Sequence, residues 1–138
     1  MIHANDPDVI TRLLTAPGRW AVVGLSNNPL RPAVEVSRFV QQQLGMDIIP
    51  VNPRGEDVHG AAGYTELDEI PGEIDVVDCF VNSTRVGAVV DAAIARGAGA
   101  VWLQLGVIDE AAAARAAAAG LDVVMNACPV IEARRRRS

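Results

Sequence analysis

The sequence predicts an α/β three-layer sandwich: a parallel sheet of about five main strands with helices on both faces. Two observations predict it. Short apolar runs alternate with amphipathic helical segments at the spacing of βα units. The runs also lack the polar alternation of a strand with one wet face. Trp20 to Leu25 (W-A-V-V-G-L) is the clearest case, and such a strand is covered on both sides.

The elements follow in order. Asp6-Pro7 opens a first helix, with Asp6 as N-cap and proline at the first helical position; Val9, Ile10, Leu13 and Leu14 form its stripe. Trp20 to Leu25 is the first strand. Pro32 starts a second helix striped by Ala33, Val36, Val40 and Leu44 and closed by Gly45. Asp47 to Val51 is the second strand, followed by a Gly-rich connection and a helical turn near Glu66 to Glu69. Val76 to Phe80 is the third strand, Ser83 to Ala95 a helix stopped by Gly97, and Val101 to Gln104 the fourth strand. Asp109 caps an alanine-rich helix ending at Gly120, and Val123 to Met125 is the last strand. Pro50 lacks the ladder N–H, so the second strand lies at an edge or is ending there. The predicted strand order is therefore 2-1-3-4-5, with Ala61 to Tyr64 adding a short piece beside strand 2. The whole is one Rossmann-like domain over residues 1–138, with a core at about 20–132, an N-terminal helix at about 6–16 and an Arg-rich C-terminal tail at 134–138. Its crevice lies where the order reverses, above the ends of strands 1 and 3.

Composition narrows the function. Half of the 138 residues are hydrophobic and 21% are charged, which excludes a disordered chain. The apolar runs fall far short of a bilayer span, and residues 1–6 lack the basic and apolar regions of a secretory signal. Two cysteines, Cys79 and Cys128, fit a reducing compartment, so a cytoplasmic protein without membrane contact is expected. A net charge of −5 argues against nucleic acid as a partner. All twelve basic residues are arginines, so any anion held by a charged side chain must be held by arginine.

The strand ends carry the polar chemistry. After strand 1, Gly24-Leu25-Ser26-Asn27-Asn28-Pro29-Leu30-Arg31-Pro32 stands where such folds present backbone N–H groups and a helix N-terminus to phosphate. It is not G-x-G-x-x-G, and a polar turn with a helix cap is the plainer reading. After strand 2, Val51-Asn52-Pro53-Arg54-Gly55 has Asn and Arg where an NAD site would place a carboxylate for the ribose. That suits a phosphorylated ribose better than a free diol; the structural alternative is a proline turn with a solvated arginine. After strand 3, Ser83 reads as a helix N-cap rather than a nucleophile. Gln104 ends an apolar strand, so its amide either contacts a ligand or satisfies loop backbone.

No catalytic or metal constellation assembles from the remaining residues. His3 and His59 fall in loops, the cysteines do not form C-x-x-C, and H-E-x-x-H is absent. Both thiols read as buried and structural. The Arg134 to Arg137 run reads as a solvated tail.

The stretches V-V-G-L-S-N-N-P-L-R-P-A, I-I-P-V-N-P-R-G, I-D-V-V-D-C-F-V and A-V-W-L-Q-L-G-V, in this order, resemble the small stand-alone CoA-binding domain proteins. They are also similar to the N-terminal CoA-binding domain of the succinyl-CoA synthetase alpha subunit. The likeness runs from about Trp20 to Glu132. It implies that coenzyme A, or an acyl-CoA, binds across the switch point. Gly24, Ser26, Asn27, Asn28 and Arg31 would then line the phosphate loop, and Asn52, Pro53 and Arg54 would approach the adenosine and its 3′-phosphate. Phe80 and Val81 would pack on adenine or pantetheine, and Gln104 with Leu105 would close the far wall. Two departures stand out: Ala127 and Ala133 replace the family's usual arginine and histidine. The synthetase's phosphohistidine domain has no counterpart in this sequence.

The expectation is therefore a CoA-binding module without catalysis of its own. The alternatives are an NAD(P)-binding oxidoreductase-like domain, or a regulatory or structural module whose nucleotide pocket is vestigial. No protein partner is legible in the sequence.

Overall fold

Because every connection, most of them through a helix, returns the chain to the same edge of the sheet, the strands run parallel and share one set of carboxyl ends. In the computed structural model, which describes residues 2–137, five strands form one sheet in the order β2-β1-β3-β4-β5. They are β1 (Arg19–Val23), β2 (Asp47–Val51), β3 (Val76–Cys79), β4 (Ala100–Leu103) and β5 (Asp122–Val124), and all pairs are parallel. The helices are α1 (Pro7–Thr15), α2 (Pro32–Gln42), α3 (Val86–Arg96), α4 (Glu110–Ala118) and α5 (Pro129–Arg135), with a 3₁₀ turn at Leu67–Glu69.

The predicted order and edge are observed. Pro50 lies in the edge strand β2, and Tyr64 lies along its outer side, giving its N–H to the Pro50 carbonyl and taking that of Asn52. Alternate strand residues feed two cores. Val77, Val101 and Leu103 pack with α3, α4 and the 3₁₀ turn; Trp20, Val22 and Trp102 pack with α1, α2 and α5. No helix among the described residues is long and apolar enough to cross a membrane.

Three expectations need correction. Helix α3 starts at Val86, not Ser83, and its N-cap position is Arg85, which supplies no side-chain cap. The Ser83 hydroxyl instead accepts the Ile108 N–H at 2.9 Å, tying the β3–α3 loop to the β4–α4 loop. The arginine run is not a free tail: Arg134 and Arg135 belong to α5, and Arg136 bonds to the Glu132 carboxylate and to the Thr11 hydroxyl on α1. Arg137 stacks over Phe39, with 5.9 Å to the ring centroid. Ser138, the last residue of the predicted tail, lies outside the described residues, as does Met1. Cys79 is buried as expected, but Cys128 is only half-buried.

Docking of α5 also accounts for the two departures in the C-terminal motif. Ala127 and Ala133 are both buried within the α1/α2/α5 core, where an arginine or histidine would need polar partners. The Trp102 indole, packed against Trp20 at 5.6 Å, donates to the Ala127 carbonyl at 3.0 Å and holds this turn.

Candidate functional site at the strand carboxyl ends

One groove runs over the carboxyl ends of the strands, at the switch between β1 and β3, and it has three connected lobes. A central lobe of about 440 Å³ is lined by Gly24, Ser26, Asn28, Arg31, Asn52, Pro53, Asn82 and Arg85 among others. It shares Arg31, Phe80, Val81 and Asn82 with an inner lobe of about 390 Å³, whose further walls include Val36, Gln104, Leu105, Val107 and Cys128. It shares Val23, Val51 and Thr65 with an outer lobe of about 300 Å³ walled by Leu67, Ala88, Val89 and Ala92, with Glu66 and Asp68 at its border. The middle is polar and both flanks are largely apolar.

The central lobe is built for an anion. Helices α2 and α3 both begin beside it and turn the positive ends of their dipoles toward it, although Pro32 has no N–H and the Val34 and Val86 N–H groups are given to the Arg31 and Asn82 carbonyls. Arg31 and Arg85 line it, and neither guanidinium has a hydrogen bond or ion pair among the described residues. Other arginines are committed: Arg12 to Asp122, Arg115 to Asp91, Arg96 to backbone carbonyls. Unpaired cations gathered at one groove of a chain with net charge −5 favour a negatively charged occupant.

The loop after β1 depends on Gly24. Its φ is +96°, its N–H donates to the Val51 carbonyl at 2.9 Å, and a Cβ here would lie 2.4 Å from the Phe80 carbonyl oxygen. That approach brings Phe80 and Val81 to the floor shared by two lobes. Further along, the Asn28 N–H donates to Ser26 Oγ at 3.3 Å and the Leu30 N–H to Asn28 Oδ1 at 3.1 Å, so local side-chain turns shape the loop.

Of the twelve residues expected at the site, ten line the groove: Gly24, Ser26, Asn28, Arg31, Asn52, Pro53, Phe80 and Val81 around the central lobe, and Gln104 and Leu105 in the inner one. Asn27 and Arg54 do not. Asn27 Nδ2 donates to Glu56 Oε2 and to the Asp57 carbonyl, both at 2.9 Å, and so joins the β1 and β2 loops. Arg54 is exposed in the turn beside Pro53, its guanidinium without a partner among the described residues.

Two lining residues have amides already engaged. Asn52 Nδ2 donates to the Leu25 and Glu56 carbonyls, and its Oδ1 accepts from the Arg54 and Glu56 N–H groups. That exhausts its ordinary capacity, so Asn52 shapes the β2 turn. Gln104 does not satisfy loop backbone with its side chain: its Nε2 donates to Asp78 Oδ1, while the residue lines the inner lobe. Asp78 is wholly buried, its Oδ2 has no partner among the described residues, and burial pushes its carboxyl up to about 7. Burial and the neighbouring Asp78 also push the Cys79 thiol upward, which keeps it neutral.

Sequence reasoning missed Arg85, Asn82, Thr65 and Val36 as lining residues. Arg85 had a usable signal, since it ends the loop after β3. Thr65 had none, because a long irregular connection brings it to the groove. Among the described residues, no group of three or more His, Cys, Asp or Glu side chains is placed to hold a metal ion.

Comparisons with known proteins agree with this fold. A family model described as CoA binding domain matches residues 18–134. An uncharacterized protein of Bacillus subtilis, YneT, is 35% identical over 119 residues, covering 86% of this chain and 87% of that protein. The alpha subunit of an ADP-forming acetate–CoA ligase of Pyrococcus furiosus is 41% identical over 60 residues, which is 44% of this chain and 13% of the subunit. The solved structure of a hypothetical protein from Pyrococcus horikoshii superposes with a TM-score of 0.87 at 34% identity, covering 98% of each chain.

Proposed function

The chain belongs to the CoA-binding domain family, and from that membership we propose that it binds coenzyme A or an acyl-CoA along the groove, with no catalysis of its own. The observation that carries the reading is the groove's sequence of lobes, apolar, cationic, apolar. Coenzyme A has the same order of chemistry: a flat adenine, a cluster of phosphates, and a pantetheine arm. In this reading the adenine lies toward Leu67 and Val89. The phosphates meet Arg31, Arg85 and the N-termini of α2 and α3. The pantetheine end enters the inner lobe, against Leu105 and Val107. A nicotinamide dinucleotide finds less support. No carboxylate lines the central lobe and Glu56 is engaged by Asn27; the groove's two lining carboxylates, Glu66 and Asp68, belong to the outer lobe.

Titration with coenzyme A followed by thermal melting tests the reading. At 100 times its dissociation constant, a ligand specific for the folded state adds about 2.7 kcal/mol. For a domain of this size that raises the melting temperature by roughly 8–14 °C. No shift at millimolar coenzyme A, with the protein shown to be folded, removes the proposal. The same incubation with acetyl-CoA should leave the thioester intact. Asp78 is sealed beneath Gln104, Glu132 is held by Arg135 and Arg136, and the two carboxylates that line the groove, Glu66 and Asp68, belong to the outer lobe and not to the inner one. Thioester loss that disappears in Cys128→Ser would assign catalysis to the one thiol that lines the inner lobe.

A second measurement concerns the 3′-phosphate. Arg54→Ala should weaken coenzyme A more than dephospho-coenzyme A, whereas Arg31→Ala should weaken both alike. Arg54 is exposed, so solvent screening limits its contact to on the order of 1 kcal/mol, or about five-fold in affinity. Equal losses for both ligands in Arg54→Ala would move that arginine away from the ribose phosphate.

A further inference from the structure

A carboxyl group in the middle of a five-stranded sheet is an expensive thing to bury, and Asp78 sits there opposite Val22 of β1 and Trp102 of β4. It is fully buried, only Oδ1 has a partner, and that partner is Gln104 Nε2. Gln104 is in turn anchored by its backbone N–H on the Cys79 carbonyl, and it lines the inner lobe beside Leu105 and Cys128. With Nε2 given to Asp78, the amide oxygen Oε1 is the end left for the lobe.

An ionised Asp78 can only accept hydrogen bonds, so it holds Gln104 with Nε2 inward. A protonated Asp78 can donate its O–H to Gln104 Oε1, and the amide then turns over and directs Nε2 into the lobe. Resting on the coenzyme A reading, we propose that Asp78 is a positioning residue: by holding or reversing the Gln104 amide, it decides whether the inner lobe offers an acceptor or a donor to the thioester end of the ligand. With the donor outward, the site recognises a thioester carbonyl; with the acceptor outward, it does not.

The charge on Asp78 depends on few other groups. From β1 and β4 its neighbours Val22 and Trp102 are uncharged, and on its own strand the Cys79 thiol stays neutral. On the covering helices, Asp8, Arg12, Glu35, Arg38, Arg134 and Arg135 are exposed, and Glu132 pairs with Arg136. His59 is bonded to Ser37 of α2, and Arg31 and Cys128 line the lobe itself. Burial raises the Asp78 carboxyl to about 7, which places the reversal within an ordinary pH range.

The test compares acetyl-CoA with S-ethyl-CoA, a thioether that lacks only the carbonyl oxygen, at pH 6 and pH 8. The expected result is a preference for acetyl-CoA of roughly 3- to 10-fold at pH 6, the worth of one hydrogen bond, that fades at pH 8. In Asp78→Asn the preference should no longer change with pH, and in Gln104→Leu it should vanish at both. In the ligand-free wild type, the Gln104 side-chain amide resonances should titrate with the Asp78 carboxyl, a readout that needs no variant to fold. Binding of both ligands with one pH-independent ratio, or a Gln104 amide that does not titrate, overturns the positioning role and leaves the coenzyme A reading intact. Failure of both ligands and of coenzyme A to bind overturns that reading, and a titrating Gln104 amide would then still support the switch in the free protein.

Discussion

Gly24→Ala should lower the unfolding free energy by about 3–5 kcal/mol, enough to take on the order of 10–20 °C from the melting temperature. Two costs combine at this position. A residue with a Cβ is strained at a φ of +96°, and the Cβ would stand 2.4 Å from a backbone oxygen, that of Phe80, which cannot swing aside as a side chain could. Relief would require β3's carboxyl end to move away from β1, and that movement opens the floor of the groove. Coenzyme A binding should therefore fall even at temperatures where the variant is folded. Gly97→Ala is the control, because Gly97 has a φ of +77° but open space around the added atom. It should cost about 1 kcal/mol, the conformational part alone. Thermal or urea unfolding of the two variants decides the matter: equal losses would show that the contact with Phe80 is not what makes Gly24 necessary.

Asp78→Asn should stabilise the protein at high pH and leave it little changed at low pH. The sign follows from linkage. The folded carboxyl is raised to about 7 from an ordinary 3.8, mainly by burial, with the Gln104 hydrogen bond opposing. Between those values the folded chain keeps a proton that the unfolded chain releases, so the contribution of Asp78 to stability is fully present below pH ~4 and is lost as pH rises through about 7. Asparagine fills the same space without ionising. At pH 8 the variant should exceed wild type by on the order of 2–4 kcal/mol. Urea unfolding of both proteins from pH 4.5 to 8.5 gives the difference, in which the remaining carboxylates cancel. A difference that stays constant across that range would mean that Asp78 does not change ionisation in the folded protein. The retention of an ionisable group at such a position, where an amide would stabilise more, is what a role in orienting Gln104 would explain.

The sheet and its order were legible because short-range chemistry dictates them. Apolar runs without alternation can only be buried strands, and Asp6-Pro7, Pro32 and Asp109 mark helix starts through caps and a missing N–H. Pro50 cannot donate into a ladder, which puts its strand at the edge. With those elements, the loops after β1, β2, β3 and β4 had to meet at one end of the sheet. Ten of the twelve expected residues line the groove because strand ends converge by topology alone.

What the tertiary structure decided is how each polar side chain is spent. Asn27 and Asn52 stand where a ligand contact was expected, yet both are engaged by neighbouring loops: the exposed Asn27 by Glu56 and Asp57, and the buried Asn52, which must find a partner, by Leu25 and Glu56, partners remote in sequence or across a turn. Thr65 enters the groove from a connection with no periodic pattern to reveal it, whereas Arg85 stood at the end of the loop after β3. The arginine run became a docked segment because Thr11, the Pro7 carbonyl and Phe39 lie within its reach, contacts far apart along the chain. The pairing of Asp78 with Gln104 likewise joins two strands 26 positions apart. Sequence by itself determined the family, the sheet and the place of the groove, since those rest on local pattern and strand topology. The folded structure alone determined which hydrogen-bonding groups remain free to meet a ligand, since that depends on what each one already touches.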